Sequence, residues 1–193
     1  MKSATRRETL RLMDRAAIGT LLLLVLLLLG ITVARAGEIV PSVGWTRTPG
    51  QTDGQGSLTG GLALRGGLIP MVKSEIGVSY RSEDLGSTGT RMTMWPVTAS
   101  LWVSPLPTFY VGGGAGWYHT TIQYPSALGL ADETTQKFGV HLGGGLSIPL
   151  VPAIASLDLN GRYIFLERQA SQLPPNEFDP DFWSVSAGLA IHI

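Results

Sequence analysis

From residue 37 onward the chain is written in a two-residue period. Along 183–193, Trp183, Val185, Ala187, Leu189, Ile191 and Ile193 alternate with Ser184, Ser186, Gly188, Ala190 and His192. Successive side chains of a β-strand point to opposite faces, so this pattern predicts a strand with one apolar wall and one small or polar wall. The same alternation recurs over 136–148, where Phe138, Val140, Leu142, Leu146 and Ile148 oppose Lys137, Gly139, His141, Gly143, Gly145 and Ser147. It recurs again over 57–68, 72–81, 109–119 and 155–165. Two segments are less regular. Residues 38–46 set Ile39, Pro41, Val43 and Trp45 on the apolar side, and 92–103 set Val97, Ala99, Leu101 and Val103 against Thr98, Ser100 and Trp102. In the second the alternation slips by one at Trp95-Pro96; proline has no N–H for a ladder, so a bulge or a strand start is expected there.

The total is eight predicted strands of about 9 to 13 residues, an even number and a length that suits tilted membrane-crossing strands. Their connections alternate. Ile69-Pro70-Met71, Ser104–Pro107 and Pro149–Pro152 are short and uncharged, whereas Arg47–Gly56, Ser82–Arg91, Thr120–Thr135 and Glu167–Asp181 are long and polar. Short turns at one end and long loops at the other describe an eight-stranded antiparallel up-and-down transmembrane β-barrel of the bacterial outer membrane, with its short turns in the periplasm.

The first 36 residues follow a different rule. Lys2, Arg6, Arg7, Arg11 and Arg15 precede the uncharged apolar run 16–33, and Ala34-Arg35-Ala36 supplies small residues where a signal peptidase reads them. Basic start, apolar core and A-x-A predict a secretory signal peptide over 1–36, cleaved before Gly37, leaving 37–193 as one barrel domain. The paired arginines also fit a twin-arginine signal, so the sequence leaves the export route open. Removing the segment matters for charge. The whole chain has 14 basic and 14 acidic residues; without the 6 basic and 2 acidic residues of 1–36, the remainder has 8 and 12, net −4.

Composition narrows the chemistry. With no cysteine, disulfide frameworks, thiolate zinc sites and cysteine nucleophiles drop out, and no cofactor or metal is expected. No basic run suggests nucleic acid as a partner. The polar faces carry Arg65, Lys73, Glu75, Arg81, Lys137, Asp158 and Arg162 among many glycines, with Glu38 at the first strand's start. A soluble barrel that turned this face outward would fill its exterior with Gly112, Gly114, Gly116, Gly139, Gly143 and Gly145. Inside a narrow barrel the same glycines leave room for Trp102, Tyr110 and the arginines, so the polar face is expected to line the lumen. Eight strands leave only enough space for side chains, and charges cut off from water require partners; a paired network filling the lumen is therefore expected. On the apolar face, Trp45, Tyr80, Trp117, Phe165 and Trp183 each fall near a long-loop end, where amphipathic rings would form an interfacial girdle.

The sequence resembles the small outer-membrane β-barrel proteins similar to the OmpA transmembrane domain and OmpX. The resemblance covers about 38–193 and rests on Trp95-Pro-Val-Thr-Ala-Ser-Leu-Trp102, followed by Phe109-Tyr-Val-Gly-Gly-Gly-Ala-Gly-Trp-Tyr118, and on the closing Ser184–Ile191. The family's last strands usually end in an aromatic residue, whereas Ile193 stands here. The resemblance implies an outer-membrane location and a structural, envelope-stabilising or adhesive role, with membrane lipids, lipopolysaccharide and the barrel-assembly machinery as partners. A monomer is the simpler expectation.

Two other functions compete. A narrow porin-like channel would need the polar lumen to open. A lipid A-modifying enzyme would need a lipid-facing Ser/His pair with a carboxylate, yet none of His119, His141 and His192 has an outward Ser two residues away on its own face. Gly112–Gly116 lies mid-strand with no helix following, which is strand packing and not a nucleotide loop. The loops carry Asp53, Glu83, Asp84, Asp132, Glu133, Glu167, Glu177, Asp179 and Asp181 against Arg47, Arg91 and Arg168. A solvated acidic rim is the simpler expectation; Glu177-Phe-Asp-Pro-Asp181 offers the alternative of divalent-cation bridging to lipopolysaccharide or adhesion to a basic partner.

Overall fold

A computed structural model of the chain describes residues 37–49, 56–85, 89–125, 131–167, 169–170, 177–178 and 181–193. The segment 1–36 expected to be a signal peptide, together with Asp53, Arg168 and Asp179, lies outside the described residues.

The strands are β1 (Glu38–Arg47), β2 (Ser57–Ile69), β3 (Val72–Leu85), β4 (Thr90–Leu106), β5 (Phe109–Gln123), β6 (Glu133–Val151), β7 (Ala155–Leu166), β8 (Gln169–Ala170), β9 (Glu177–Phe178) and β10 (Phe182–His192). Eight of them close into an antiparallel barrel in which every strand pairs with its sequence neighbour and β1 pairs with β10; β8 and β9 form a separate two-stranded ribbon between β7 and β10. Closure leaves no sheet edge with unpaired backbone groups, the condition for a sheet to stand in hydrocarbon.

The distribution of side chains is that of a soluble protein turned inside out. Val43, Leu58, Leu62, Val97, Leu101, Val140, Leu142 and Val185 are exposed on the barrel wall, while Glu38, Arg65, Glu75, Arg81 and Asp158 are buried. Lone exposed apolar residues mean little, but a continuous apolar wall around the whole circumference is a surface for lipid. Alternation and closure thus decide together which face meets the membrane.

Two boundaries differ from the sequence reading. First, no bulge occurs at Pro96. β4 pairs with β5 without a break from Arg91↔Gln123 to Val103↔Val111, and the register with β3 is the same at Val78↔Val97 and Arg81↔Met94. Met92, Met94 and Pro96 are buried inside the barrel, so the apparent slip arises because the upper lumen is itself apolar. The register shifts sit instead beside the short turns, at Gly67/Ile69, Val103/Leu106 and Pro149/Val151. Second, the strands continue beyond the expected loop starts: β3 reaches Leu85, β5 reaches Gln123 and β6 begins at Glu133. Those extensions include Thr120, Thr121, Thr134 and Thr135, β-branched and polar on both faces, which favour a strand but give no alternation to read.

Candidate functional site: a hydrogen-bonded ring across the lumen

The register builds the site. Arg65 on β2 stands beside Glu38 on β1 and Glu75 on β3, and Glu75 stands beside Ser100 on β4. From the opposite wall, β7 projects Asp158, Asn160 and Arg162, and β5 projects Tyr110. The two walls meet in the middle. Arg65 Nε and Nη2 donate to Glu75 Oε2 at 3.0 and 2.7 Å, and its Nη1 crosses the lumen to Asp158 Oδ2 at 2.8 Å. Arg162 Nη2 crosses in the other direction to Glu75 Oε1 at 2.7 Å, and its Nε donates to Asn160 Oδ1 at 2.6 Å. Asn160 Nδ2 donates to Tyr110 Oη at 3.0 Å, and Tyr110 Oη donates to Asp158 at 2.9 Å. Arg65, Glu75, Arg162, Asn160, Tyr110 and Asp158 therefore form one closed hydrogen-bonded ring with two positive and two negative charges. Burying charges is costly unless each finds an opposite charge and well-aligned hydrogen bonds, and this ring supplies both.

Small residues make the space. A Cβ at Gly145 would collide with Tyr110 Oη and the Leu159 carbonyl, and one at Gly143 would meet the Gly161 carbonyl and Arg162. Trp102, almost wholly buried, packs edge-on to Tyr110 at 5.3 Å, and the Arg162 guanidinium lies over its ring at 5.0 Å.

Below the ring, toward the short turns, Glu38 accepts from Lys73 Nζ and lies 3.7 Å from Arg65 and 3.5 Å from His192. Above the ring is a cavity of about 100 Å³ whose lining includes Ser79, Thr98, Ser184, Arg81 and Phe182. Tyr118, Ile164 and Phe182 form part of its wall and cluster with Met94. Arg81 stacks on Phe182 at 4.1 Å and donates from Nη2 to Glu83 Oε2 at 3.1 Å. Glu83 is thus a buried lumen residue and not a member of the acidic loop rim. Lys137 faces inward beside Tyr118, half-buried, with no ion pair among the described residues.

His141 Nε2 and Ser100 Oγ are 2.9 Å apart, both buried, but His141 Nδ1 has no hydrogen-bond partner among the described residues. A hydrolytic relay needs a carboxylate on that nitrogen and a path for substrate, so the pair is read as lumen packing. Among the described residues no group of three His, Cys, Asp or Glu is placed to hold a metal ion.

The outer face carries the aromatics. Trp45, Tyr80, Phe165 and Trp183 are exposed at the long-loop ends of their strands, and Trp117 is half-buried against Phe138 at 5.8 Å. The structure adds Trp95, its ring tilted against Tyr80 at 4.6 Å, and Tyr163, 4.6 Å from both Phe165 and Trp183. Trp95 was hidden by the apparent slip at Pro96. At the same end Asp181 accepts from the Leu166 backbone N–H at 2.7 Å and from Tyr163 Oη at 3.4 Å, so this acidic residue is tied into the rim and is not free in a loop.

No family model matches the sequence, and none of the curated proteins matches it. Solved structures do share its fold. Ail, the attachment invasion locus protein of Yersinia pestis, aligns with TM-score 0.52 and 13% identity over 82% of this chain and 99% of that one. Neisserial surface protein A aligns with TM-score 0.54 and 13% identity over 81% and 96%. The outer membrane protein OprG from Pseudomonas aeruginosa aligns with TM-score 0.53 and 15% identity over 82% and 97%. The fold is that of the small eight-stranded outer-membrane β-barrels.

Proposed function

We propose that this chain is exported, loses residues 1–36, and stands in the outer membrane as a side-chain-filled barrel that stabilises the envelope and presents its long loops to a partner. The closed ring carries this reading: Arg65 and Arg162 span the lumen from opposite walls and lock onto Glu75 and Asp158, obstructing the path that a channel would use. A non-enzymatic role fits the buried Ser100–His141 pair, which lacks a carboxylate on His141 Nδ1. Lipid and lipopolysaccharide would meet the apolar wall. The acidic loop residues Asp132 and Glu167 favour cation-bridged lipopolysaccharide or a basic partner, whereas Asp84, on β3, is already paired with Arg91 at 2.9 Å. Ail has been solved with the heparin analogue sucrose octasulfate, but a polyanion of that kind would be repelled by the acidic loops of this chain.

The cavity above the ring gives one specific observation in favour of a channel, since a breach of the ring would extend it toward the short turns. Planar-bilayer recording separates the two readings. The parent protein is expected to show no steady current; a sustained conductance that disappears on heat denaturation would replace the structural role with a pore.

A further inference from the structure

The short-turn end differs from the rest of the molecule in three independent ways. Its side chains are mostly apolar, with Ser104 and Thr108 the hydroxyl exceptions: Ile69, Met71, Leu106, Leu150 and Ile154 are each more than half exposed, and the stretches 68–71, 104–109 and 149–155 contain no charged residue. Two turn positions in the left-handed region, normally filled by Gly, Asn or Asp, hold Met71 at φ 68° and Ala153 at φ 61°.

Part of its backbone polarity is also satisfied within the rim. Pro70, Pro105, Pro107, Pro149 and Pro152, five of the chain's 12 prolines, remove N–H groups from this rim. Turn carbonyls are bonded by the next strand around the barrel: Ser104 N–H donates to Met71 O at 2.8 Å, Ser147 N–H to Thr108 O at 2.8 Å and His192 N–H to Ile154 O at 2.9 Å. Ile193 N–H closes the circuit onto Gly37 O at 2.9 Å. Water would satisfy exposed turn groups at no structural cost; hydrocarbon would not, and there each unpaired group is expensive.

The third difference is height. On β10 the step from Trp183 in the aromatic girdle to Ile193 is ten residues. At about 3.3 Å per residue and a tilt of about 40°, that is about 25 Å along the barrel axis, the height of the apolar band of such barrels. A girdle seated at one headgroup layer therefore puts the turns at the far edge of the hydrocarbon.

We propose that the short-turn rim is itself a lipid-contacting surface, seated against the acyl chains at the edge of the periplasmic leaflet and not projecting into the periplasm. The surface is continuous with the apolar wall, and the polar side chains nearest to it gather on Glu38, which accepts from Lys73 Nζ and lies 3.5 Å from His192 Nε2 at the mouth of the lumen. This inference rests on the membrane-barrel reading and locates one end of it.

The chain has no cysteine, so single labels are unambiguous. Met71→Cys, Leu106→Cys and Leu150→Cys would each carry a bimane fluorophore in phosphatidylcholine vesicles, with Leu142→Cys as a mid-wall control and Gln123→Cys as a control beyond the girdle. Quenching by nitroxide on the acyl chain is expected within about twofold of Leu142, with little quenching by aqueous iodide. Iodide quenching like that of Gln123 would overturn the proposal, as would shielding from both quenchers, which would mean a second copy or a protein partner on the rim. If Leu142 itself were quenched by iodide, the membrane reading would fail first. Without any substitution, oxidation of Met71 by water-soluble chloramine-T should be about tenfold slower in vesicles than in denaturant; equal rates would overturn the proposal.

Discussion

The lower and upper halves of the lumen solve the same problem differently. In the lower half every charge of the ring is bound by its neighbours, and Glu75 accepts from two arginines at 2.7 Å. In the upper half Arg81 has one partner, Glu83, while its Nε and Nη1 have none among the described residues, and an aromatic ring covers it. Both arginine sites are buried, so burial alone does not determine what a charge contributes. What differs is how many groups a single removal affects: losing Glu75 takes a partner from two guanidiniums, whereas losing Arg81 strands one carboxylate.

Three substitutions would break or sharpen this contrast. Glu75→Ala leaves Arg65 and Arg162 facing each other across the lumen, and a loss of about 3–5 kcal/mol is expected in urea unfolding from lipid vesicles. A loss below 1 kcal/mol would show the ring to be ornamental. Gly145→Val tests packing around the ring without touching a charge: it drives a methyl group into Tyr110 Oη, and about 1–3 kcal/mol should be lost by the same assay. In the upper half, Arg81→Met combined with Glu83→Met removes both charges at once. Stability should stay within about 1 kcal/mol of the parent or rise, because two buried groups with incomplete partners are replaced by apolar contacts to Phe182 and Met94. A large loss there would mean that the two halves work alike.

The legible part of this molecule was the part where lipid imposes a rule. Wherever one face meets hydrocarbon, alternation assigns each side chain to wall or lumen, so Arg65, Glu75, Asp158 and Arg162 could be set on the inner face from sequence. The pairing could not be assigned that way. Arg65 and Asp158 are 93 residues apart and meet only through strand order and register, which no local pattern records. Asn160 and Tyr110 complete the ring but read from sequence as ordinary small-face and aromatic residues. At and above the girdle the rule lapses: Met92, Met94 and Pro96 point inward although apolar, Glu83 is buried although acidic, and the pattern misled at each of these positions. The neighbours of Trp95 and Tyr163 emerged only once the strands were aligned side by side.

The ring also constrains the order in which this barrel can be put together. Its four charges come from β2, β3 and β7, so they cancel only when strands from the beginning and the end of the chain share one enclosure. A hairpin of β6 and β7 entering lipid alone would take Arg162 and Asp158 with it as bare ions. Insertion strand by strand is therefore uphill for β7 until the wall has curled far enough to set Asp158 and Arg162 opposite Arg65 and Glu75.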